Sequence, residues 1–308
     1  MSNVNLVSTV LASTANYDLT DLATAKDELS LLTTDTSNDA WLARAISQVS
    51  RAVKNHTNRV YQPEFVQDWF DVRRRRYQVP IGVRTLQLSR WPVLAVTSVV
   101  ISEIGEVPAT LVLVENTDFL VDYDTGLLYR LDSDTSPSTL SAWEALPITV
   151  QYSAGYGAAV NETHSVPATP GPYVVTVSQD ANFSCDQQVS YVSTGLPLTP
   201  IASGTPAVGQ YVANNKTGQY TFAAADQAQS LNFAYCTEDV PDDLVDVTLQ
   251  LVTTRFKARG RDPALIQRET PGIGTERFWF GGTPGQYGPF PPDIQALLDD
   301  NYKVPTVG

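Results

Sequence analysis

The sequence predicts an α+β fold: a helical core with a small antiparallel β-sheet, an inserted all-β, sandwich-like domain, and an extended C-terminal arm. Three observations lead there. Apolar residues recur at helical spacing over residues 20–58 and 240–260, and strand-like alternation fills residues 61–150. The host pattern then stops near Gly157 and resumes at Val240, and the stretch between is rich in Ser, Thr, Pro, Gly and Gln. The expected boundaries are residues 1–160 and 239–268 for a discontinuous core, 161–238 for the insert, and 269–308 for a C-terminal arm with a hairpin and a short helix.

The first helix spans residues 20–32, where Leu22, Ala25, Leu29 and Leu32 follow a Thr20 or Asp21 cap. The second runs over residues 39–58 and gathers Trp41, Leu42, Ala45, Ile46, Val49, Ala52 and Val53 on one stripe, with Arg44, Gln48, Arg51 and Lys54 opposite. His56 falls in its last turn, where a cation suits the helix dipole, and reads as a helix-end residue rather than a ligand. Strand segments follow as FVQDWFDV, YQVPI, TLQLSRWPV, VTSVVISE, ATLVLV, FLVDYDTGLLYRL and ITVQYSA. Asp124, Thr125 and Gly126 mark a hairpin turn. The Asp122 and Asp124 pair falls short of a calcium-loop pattern, so the hairpin reading is preferred.

The segment VPDDLVDVTLQLVTTRFKARG is the best-specified helix. Pro241 suits its first position, Asp242 and Asp243 its positive end, and Lys257 and Arg259 its last turn before Gly260. Leu244, Val247, Thr248, Leu251, Val252 and Phe256 supply an apolar face, and this helix is expected to pack with that of residues 39–58 against the sheet. Within the insert, short alternating runs separated by Gly, Pro and Asn suggest an antiparallel sandwich or barrel. Insertions are tolerated at exposed loops with close ends, so the module is expected to project outward. Cys185 and Cys236 both fall there and are expected as reduced, partly buried thiols rather than a disulfide. His164 is placed in a solvated linker.

Composition excludes several function classes. A formal charge of −13 over 308 residues argues against a protein that binds nucleic acid by neutralising phosphates. Two cysteines and two histidines give no zinc-site spacing, and no cofactor or metal is expected. No nucleophile elbow or phosphate-cradling loop occurs, and with no Cys in the host domain a Cys–His nucleophile there is excluded, so the chain is read as a non-enzyme. No apolar run reaches membrane-spanning length, and nothing at the N-terminus reads as an export signal.

Two features invite a partner. The run Arg73, Arg74, Arg75 and Arg76 is the one basic cluster in an acidic chain. It is either a solvated hairpin tip or a charge patch for an acidic neighbour, a copy of the same chain or a phosphate backbone, with protein favoured over DNA. The tail beyond residue 261 is rich in Gly and Pro and carries Phe278, Trp279, Phe280, Tyr287, Phe290 and Leu297. These are the candidate anchors of a segment that docks on another chain; the alternative is a tail folded back on its own domain.

In order along the chain, several segments resemble the head-tail connector, or adaptor, proteins of tailed bacteriophages and related gene transfer particles. They are the helix of residues 39–57 with Arg59, LQLSRWPVLAVTSVVI, FLVDYDTGLLYRL, ITVQYSAGYG, VPDDLVDVTLQLVTTRFKAR, ETPGIGTERFWFGG and FPPDIQALLDDNYKVP. The resemblance covers roughly three quarters of the chain and departs from the family between Gly157 and Val240, where a short loop is usual. It implies a helical adaptor core and a structural virion protein of the neck, at the head–tail interface, made in the host cytoplasm. It further implies a dodecameric ring beneath the portal protein, with the C-terminal segment embracing the portal and the other face receiving a tail or stopper protein. DNA would pass through the channel without specific binding, and no membrane is involved. The competing reading is a carbohydrate-binding or decoration protein in which Tyr191, Tyr211, Tyr220 and Phe222 of the insert stack on sugars.

Overall fold

Alternation of buried and exposed side chains organises the larger part of the chain. The computed structural model describes residues 5–71, 83–102, 110–132, 139–143, 146–179, 182–259, 267–270, 274–277 and 290–303. The chain divides into two compact units, residues 1–16 with 62–239, and residues 17–61 with 240–308.

The first unit is built of strands: β1 (Asn5–Ala12), β2 (Glu64–Asp71), β3 (Thr85–Gln87), β4 (Val93–Ser102), β5 (Thr110–Leu113), β6 (Phe119–Asp122), β7 (Leu127–Asp132), β8 (Thr139–Leu140) and β9 (Pro147–Ala154). They form a five-stranded antiparallel sheet in the order β1-β2-β9-β4-β5 and a smaller sheet β3-β7-β6 with β8 beside β7. Between the sheets lies a core that includes Val66 and Phe70 of β2, Leu86 of β3, Val99 and Ile101 of β4, Leu128 of β7, and Ile148, Val150 and Tyr152 of β9. Residues two apart on a strand share a face, so each strand contributes every second side chain to this layer.

Two carboxylates of β2 are buried on that face, Glu64, which accepts from Arg90 Nε at 2.8 Å, and Asp68. Asp68, on the same face as Val66 and Phe70, accepts hydrogen bonds from the Ser89 amide (2.7 Å), the Ser89 hydroxyl (2.8 Å) and the Tyr152 hydroxyl (2.8 Å). The Tyr152 oxygen in turn accepts from the Arg90 amide at 3.1 Å. Burial and the neighbouring Asp68 charge push the Tyr152 phenol well above its ordinary range. A buried carboxylate is tolerated when its oxygens are hydrogen-bonded, and here the donors staple the turn after β3 to the centre of the sheet.

The insert continues the same unit with β10 (Gly157–Ser165), β11 (Val174–Thr176), β12 (Phe183–Tyr191), β13 (Thr199–Pro200), β14 (Gln210–Asn214), β15 (Gln219–Phe222) and β16 (Ser230–Glu238). A sheet β10-β16-β12 and a sheet β11-β15-β14-β13 enclose their own core of Val166, Val175, Val189, Tyr211, Tyr220, Phe222, Leu231, Phe233 and Tyr235. His164, expected in a linker, lies on β10 opposite Leu231 and packs edge-on against Phe233. Cys185 and Cys236 face each other across β12 and β16, both fully buried with free thiols. Sharing a hydrogen bond with Cys236, and burial, push the Cys185 thiol up.

The helical unit contains α1 (Leu22–Glu28), α2 (Asp39–Thr57) and α3 (Asp242–Lys257), a short hairpin of β17 (Gln267–Thr270) and β18 (Gly274–Arg277), and α4 (Pro292–Asn301). Asp21 caps α1 through the Thr24 amide (2.8 Å), and Asn58 ends α2 in the left-handed conformation.

The expected helical adaptor core is overturned. Strand is the predominant regular structure among the described residues, and the five-stranded sheet fills its core from a second sheet. The physical reason is that residues 61–150 hold enough short alternating segments to bury one another. The helices form a unit of their own, with buried apolar residues along α2, α3 and α4.

Passage from β9 to β10 runs through Gly155, Tyr156 and Gly157. Gly155 (φ +140°) lies so close to β2 that a Cβ would stand 2.6 Å from the Pro63 nitrogen, and a Cβ on Gly157 (φ +153°) would collide with the Thr237 carbonyl. Both positions need glycine for conformation and for space. Gly157→Ala is expected to lower the unfolding free energy by roughly 2–4 kcal/mol, seen as a lower urea midpoint; an unchanged midpoint would remove the close approach.

Candidate functional site

Two features of the helical unit could meet a partner: the tail, and a cationic groove between the long helices. α2 buries Leu42, Ala45, Ile46, Val49 and Val53, and α3 buries Leu244, Val247, Thr248, Leu251 and Val252. Trp41 and Phe256 meet edge to face at 5.6 Å where the two helices pack. The Arg259 guanidinium lies 4.9 Å from the Trp41 ring and 5.3 Å from Phe256, and donates to Asn38 Oδ1 at 2.7 Å. Cation–π attraction therefore holds the end of α3 against the start of α2.

Beside this contact lies an open groove of about 280 Å³ lined by Trp41, Arg44, Ala45, Gln48 and Arg255. Helical spacing places Arg44 and Gln48 one turn apart on α2, and Arg255 faces them from α3. Two guanidinium groups next to a half-buried indole suit a carboxylate or another planar anion. The groove offers binding chemistry and no nucleophile or general base. Among the described residues, no three His, Cys, Asp or Glu side chains converge to hold a metal ion, and no helix is long and apolar enough to cross a membrane.

The described part of the tail is tied into the same unit. Phe290, Ile294, Leu298 and Tyr302 are buried at four-residue spacing along α4. Phe290 packs edge-on against His56 of α2 at 5.2 Å, and Tyr302 packs edge-on against Tyr61 at 5.8 Å. The Tyr302 hydroxyl donates to the Asp243 carboxylate at 2.6 Å. Asp299 accepts from Lys303 at 2.9 Å and meets His56 Nε2 at 2.9 Å; the Lys303 bond is the main reason its carboxyl lies below the ordinary range.

Of the six proposed aromatic and aliphatic anchors, Phe290 is thus enclosed by its own unit, with 4% of its surface exposed. Leu297 is half-buried on α4. Phe278, Trp279, Phe280 and Tyr287 lie outside the described residues, as do Arg73, Arg74, Arg75 and Arg76. Sequence reasoning passed over Ile294, Leu298 and Tyr302, although their regular spacing after Phe290 is the signal of an α4 stripe. It also left the groove unassigned, because Arg44 and Gln48 read as a solvated face until α3 brings Arg255 beside them.

In the insert, three of the four rings considered for sugar stacking are in its core, and the fourth, Tyr191, is half-buried against it. Tyr211, Tyr220 and Phe222 are buried. The Tyr211 and Tyr220 hydroxyls donate to Asp186 at 2.6 and 3.0 Å, and the Tyr191 hydroxyl donates to Asp226 at 2.6 Å. Buried rings offer no face to a sugar, so Tyr211, Tyr220 and Phe222 specify the packing of the insert.

No protein-family model matches the sequence, and no curated protein matches it. Among the solved structures that are similar, two are chains of gene transfer agent particles. One is a chain in the neck of an empty gene transfer agent particle, 12% identical, with a TM-score of 0.40 over 99% of this chain and 98% of that one. The other is a chain in the virion of a native gene transfer agent particle, 11% identical, with a TM-score of 0.39 over 97% of this chain and 98% of that one.

Two outcomes test these arrangements. Phe290→Ala is expected to loosen α4, so that limited proteolysis cuts residues 290–303 at least about tenfold faster, which corresponds to about 1.4 kcal/mol of local stability; unchanged cleavage would contradict the enclosed tail. Burial pushes the Asp186 carboxyl up from 3.8 to about 6 despite its two tyrosine donors. A raised folded-state value means that protonation favours the fold, so this contribution is complete below about pH 4 and is lost as the pH rises through 6, amounting to about 3 kcal/mol. Relative to Asp186→Asn, the wild type should therefore lose stability between pH 4 and pH 7.5. Parallel stability profiles for the two proteins would refute this.

Proposed function

We propose that the chain is a structural virion protein of the head-tail connector (adaptor) class. It forms a ring, dodecameric in the virion, beneath the portal protein, joins the DNA-filled capsid to a tail or stopper protein, and lines the DNA exit channel of the neck. It acts without catalysis or cofactor and is made in the host cytoplasm.

The observation that carries this reading is the ordered set of connector-like segments on either side of the insert. Two further features support it. Helices α2 and α3 come from opposite sides of the insert in sequence and pack as one pair, which is how an interrupted core has to assemble. In sequence, Phe278, Trp279 and Phe280 lie between α3 and the anchored α4, so a partner that binds them meets a segment tethered at both ends, and ordering such a segment costs less entropy than ordering a free tail.

Charge supports the channel role. Most of the net negative charge belongs to residues 1–16 and 62–239. An anionic wall repels DNA phosphates and allows passage without retention.

Co-sedimentation with portal-bearing, tailless capsids tests the proposal. Because α4 is part of the helical unit's core, the tail is probed by substituting Phe278, Trp279 and Phe280 together with Ser, leaving α4 in place. The wild type should pellet with the capsids, and the substituted protein should bind at least about tenfold more weakly. Equal binding by both would remove the tail from the portal contact, and a folded wild type that stays in the supernatant would refute the connector reading.

A further inference from the structure

The five-stranded sheet has two outer strands, β1 and β5, and among the described residues neither pairs with another strand on its outer side. Natural sheets protect such edges with charged side chains, proline or bulges that turn the strand away, because open backbone donors and acceptors recruit further strands. Here charge and proline are missing, and the protection is limited to a register shift between Val10 and Ala12 at the end of β1 and to the four-residue length of β5. Strand β1 reads NLVSTVLA and β5 reads TLVL, with no ionisable residue and no proline in either.

Both edges also expose large apolar side chains. On β1 these are Leu6, Val7, Val10 and Leu11, with Val7 56% exposed; at β5 they are Leu111, Val112 and Val114, with Val112 60% exposed. Half of the large apolar side chains exposed among the described residues fall on these two short segments. Their absence of charge decides the occupant. Most of the chain's −13 lies in the unit that holds this sheet, so two copies repel wherever their acidic surfaces meet. The two uncharged edges are where copies of this chain can approach without that cost.

We infer that β1 of one copy adds to β5 of the next, making one sheet continuous across subunits. The step rests on the ring reading above and gives that ring its contact. Opposite edges of one sheet make a heterologous, head-to-tail interface, the kind that closes rings, whereas edge-to-same-edge pairing makes a two-fold dimer and stops. The strand directions add a constraint. All neighbours in the order β1-β2-β9-β4-β5 that are four steps apart end up running the same way, since every step is antiparallel. A neighbour related by rotation about a ring axis therefore presents β1 in parallel to β5, with evenly spaced, slanted hydrogen bonds.

Cysteine cross-linking of the full chain tests this. Val7→Cys and Val112→Cys are placed singly and together, oxidised under native conditions, and run on a non-reducing gel beside sedimentation of the untreated wild type. The native thiols are buried and serve as a constant background. The double variant should give a ladder of dimer, trimer and higher species, and each single variant should stay monomeric. A mixture of the two single variants should give dimers alone. Val7→Lys, which charges an exposed position and leaves the core untouched, should reduce wild-type self-association at least about tenfold.

Dimers from either single variant would replace the ring contact with a two-fold one, and a wild type that sediments as a monomer at its highest soluble concentration with no ladder would overturn the inference. Capture of a different protein's strand at these edges would appear as a double variant that cross-links only in the presence of capsids and never to itself, which also overturns it. The outcome is separable from that of the capsid experiment: capsid binding without a ladder removes the strand contact and leaves the connector reading, and a ladder without capsid binding does the reverse.

Discussion

The constraint on which the larger unit depends is the continuation of one chain segment from the middle of one sheet into another. Strand β9 lies between β2 and β4, and three residues later β10 is paired with β16. Gly155 and Gly157 permit this because no side chain is tolerated against Pro63 or Thr237. Around the passage the two sheets share contacts. The Ser184 hydroxyl donates to the Pro63 carbonyl at 3.2 Å, Gln187 donates to the Ser153 hydroxyl at 2.6 Å, and Phe65 packs with Cys185 and Cys236. Buried polar contacts and a small apolar cluster on both sides of the joint make relative movement costly. The two thiols gain a role from this position: they are small, fully buried fillers where β12 and β16 meet β2.

That joint changes what an inserted module means for this chain. An insert on an exposed loop hangs by two linkers and moves independently. Here the residues after Gly157 grow out of a central strand, and the core of the insert begins where the core of the first sheet ends. The sheet edges β1 and β5 belong to the same body. A contact between copies at those edges would therefore orient the insert as well, without a separate interface.

Much of this organisation was legible in the residues. The helical periodicities around Trp41 and Leu244 located α2 and α3, and the Asp-Thr-Gly turn located the β6–β7 hairpin, where Asp122 accepts the Asp124 and Thr125 amides. What propensity could not reveal was partnership. Nothing within residues 5–12 marks them as a strand, because an edge strand draws its stability from the strand beside it, and β2 lies more than fifty residues away. The same limitation hid the second sheet that packs on the first. Periodicity shows that a helix has an apolar face, and it does not show which surface covers that face. The stripe Phe290, Ile294, Leu298 and Tyr302 was readable in principle, but the many Gly and Pro residues before it suggested an extended arm. The roles of Asp68 and Asp186 were hidden because a buried carboxylate depends on donors far away in sequence, Tyr152 for one and Tyr211 and Tyr220 for the other.

Native-state hydrogen exchange tests most directly whether the insert and the sheet are one body. The account predicts that central amides of β9, β10, β12 and β16 exchange through a common opening, with the same free energy and the same dependence on denaturant. Amides of β10, β12 and β16 that exchange through a separate opening of lower free energy, while β2, β9 and β4 stay protected, would contradict it.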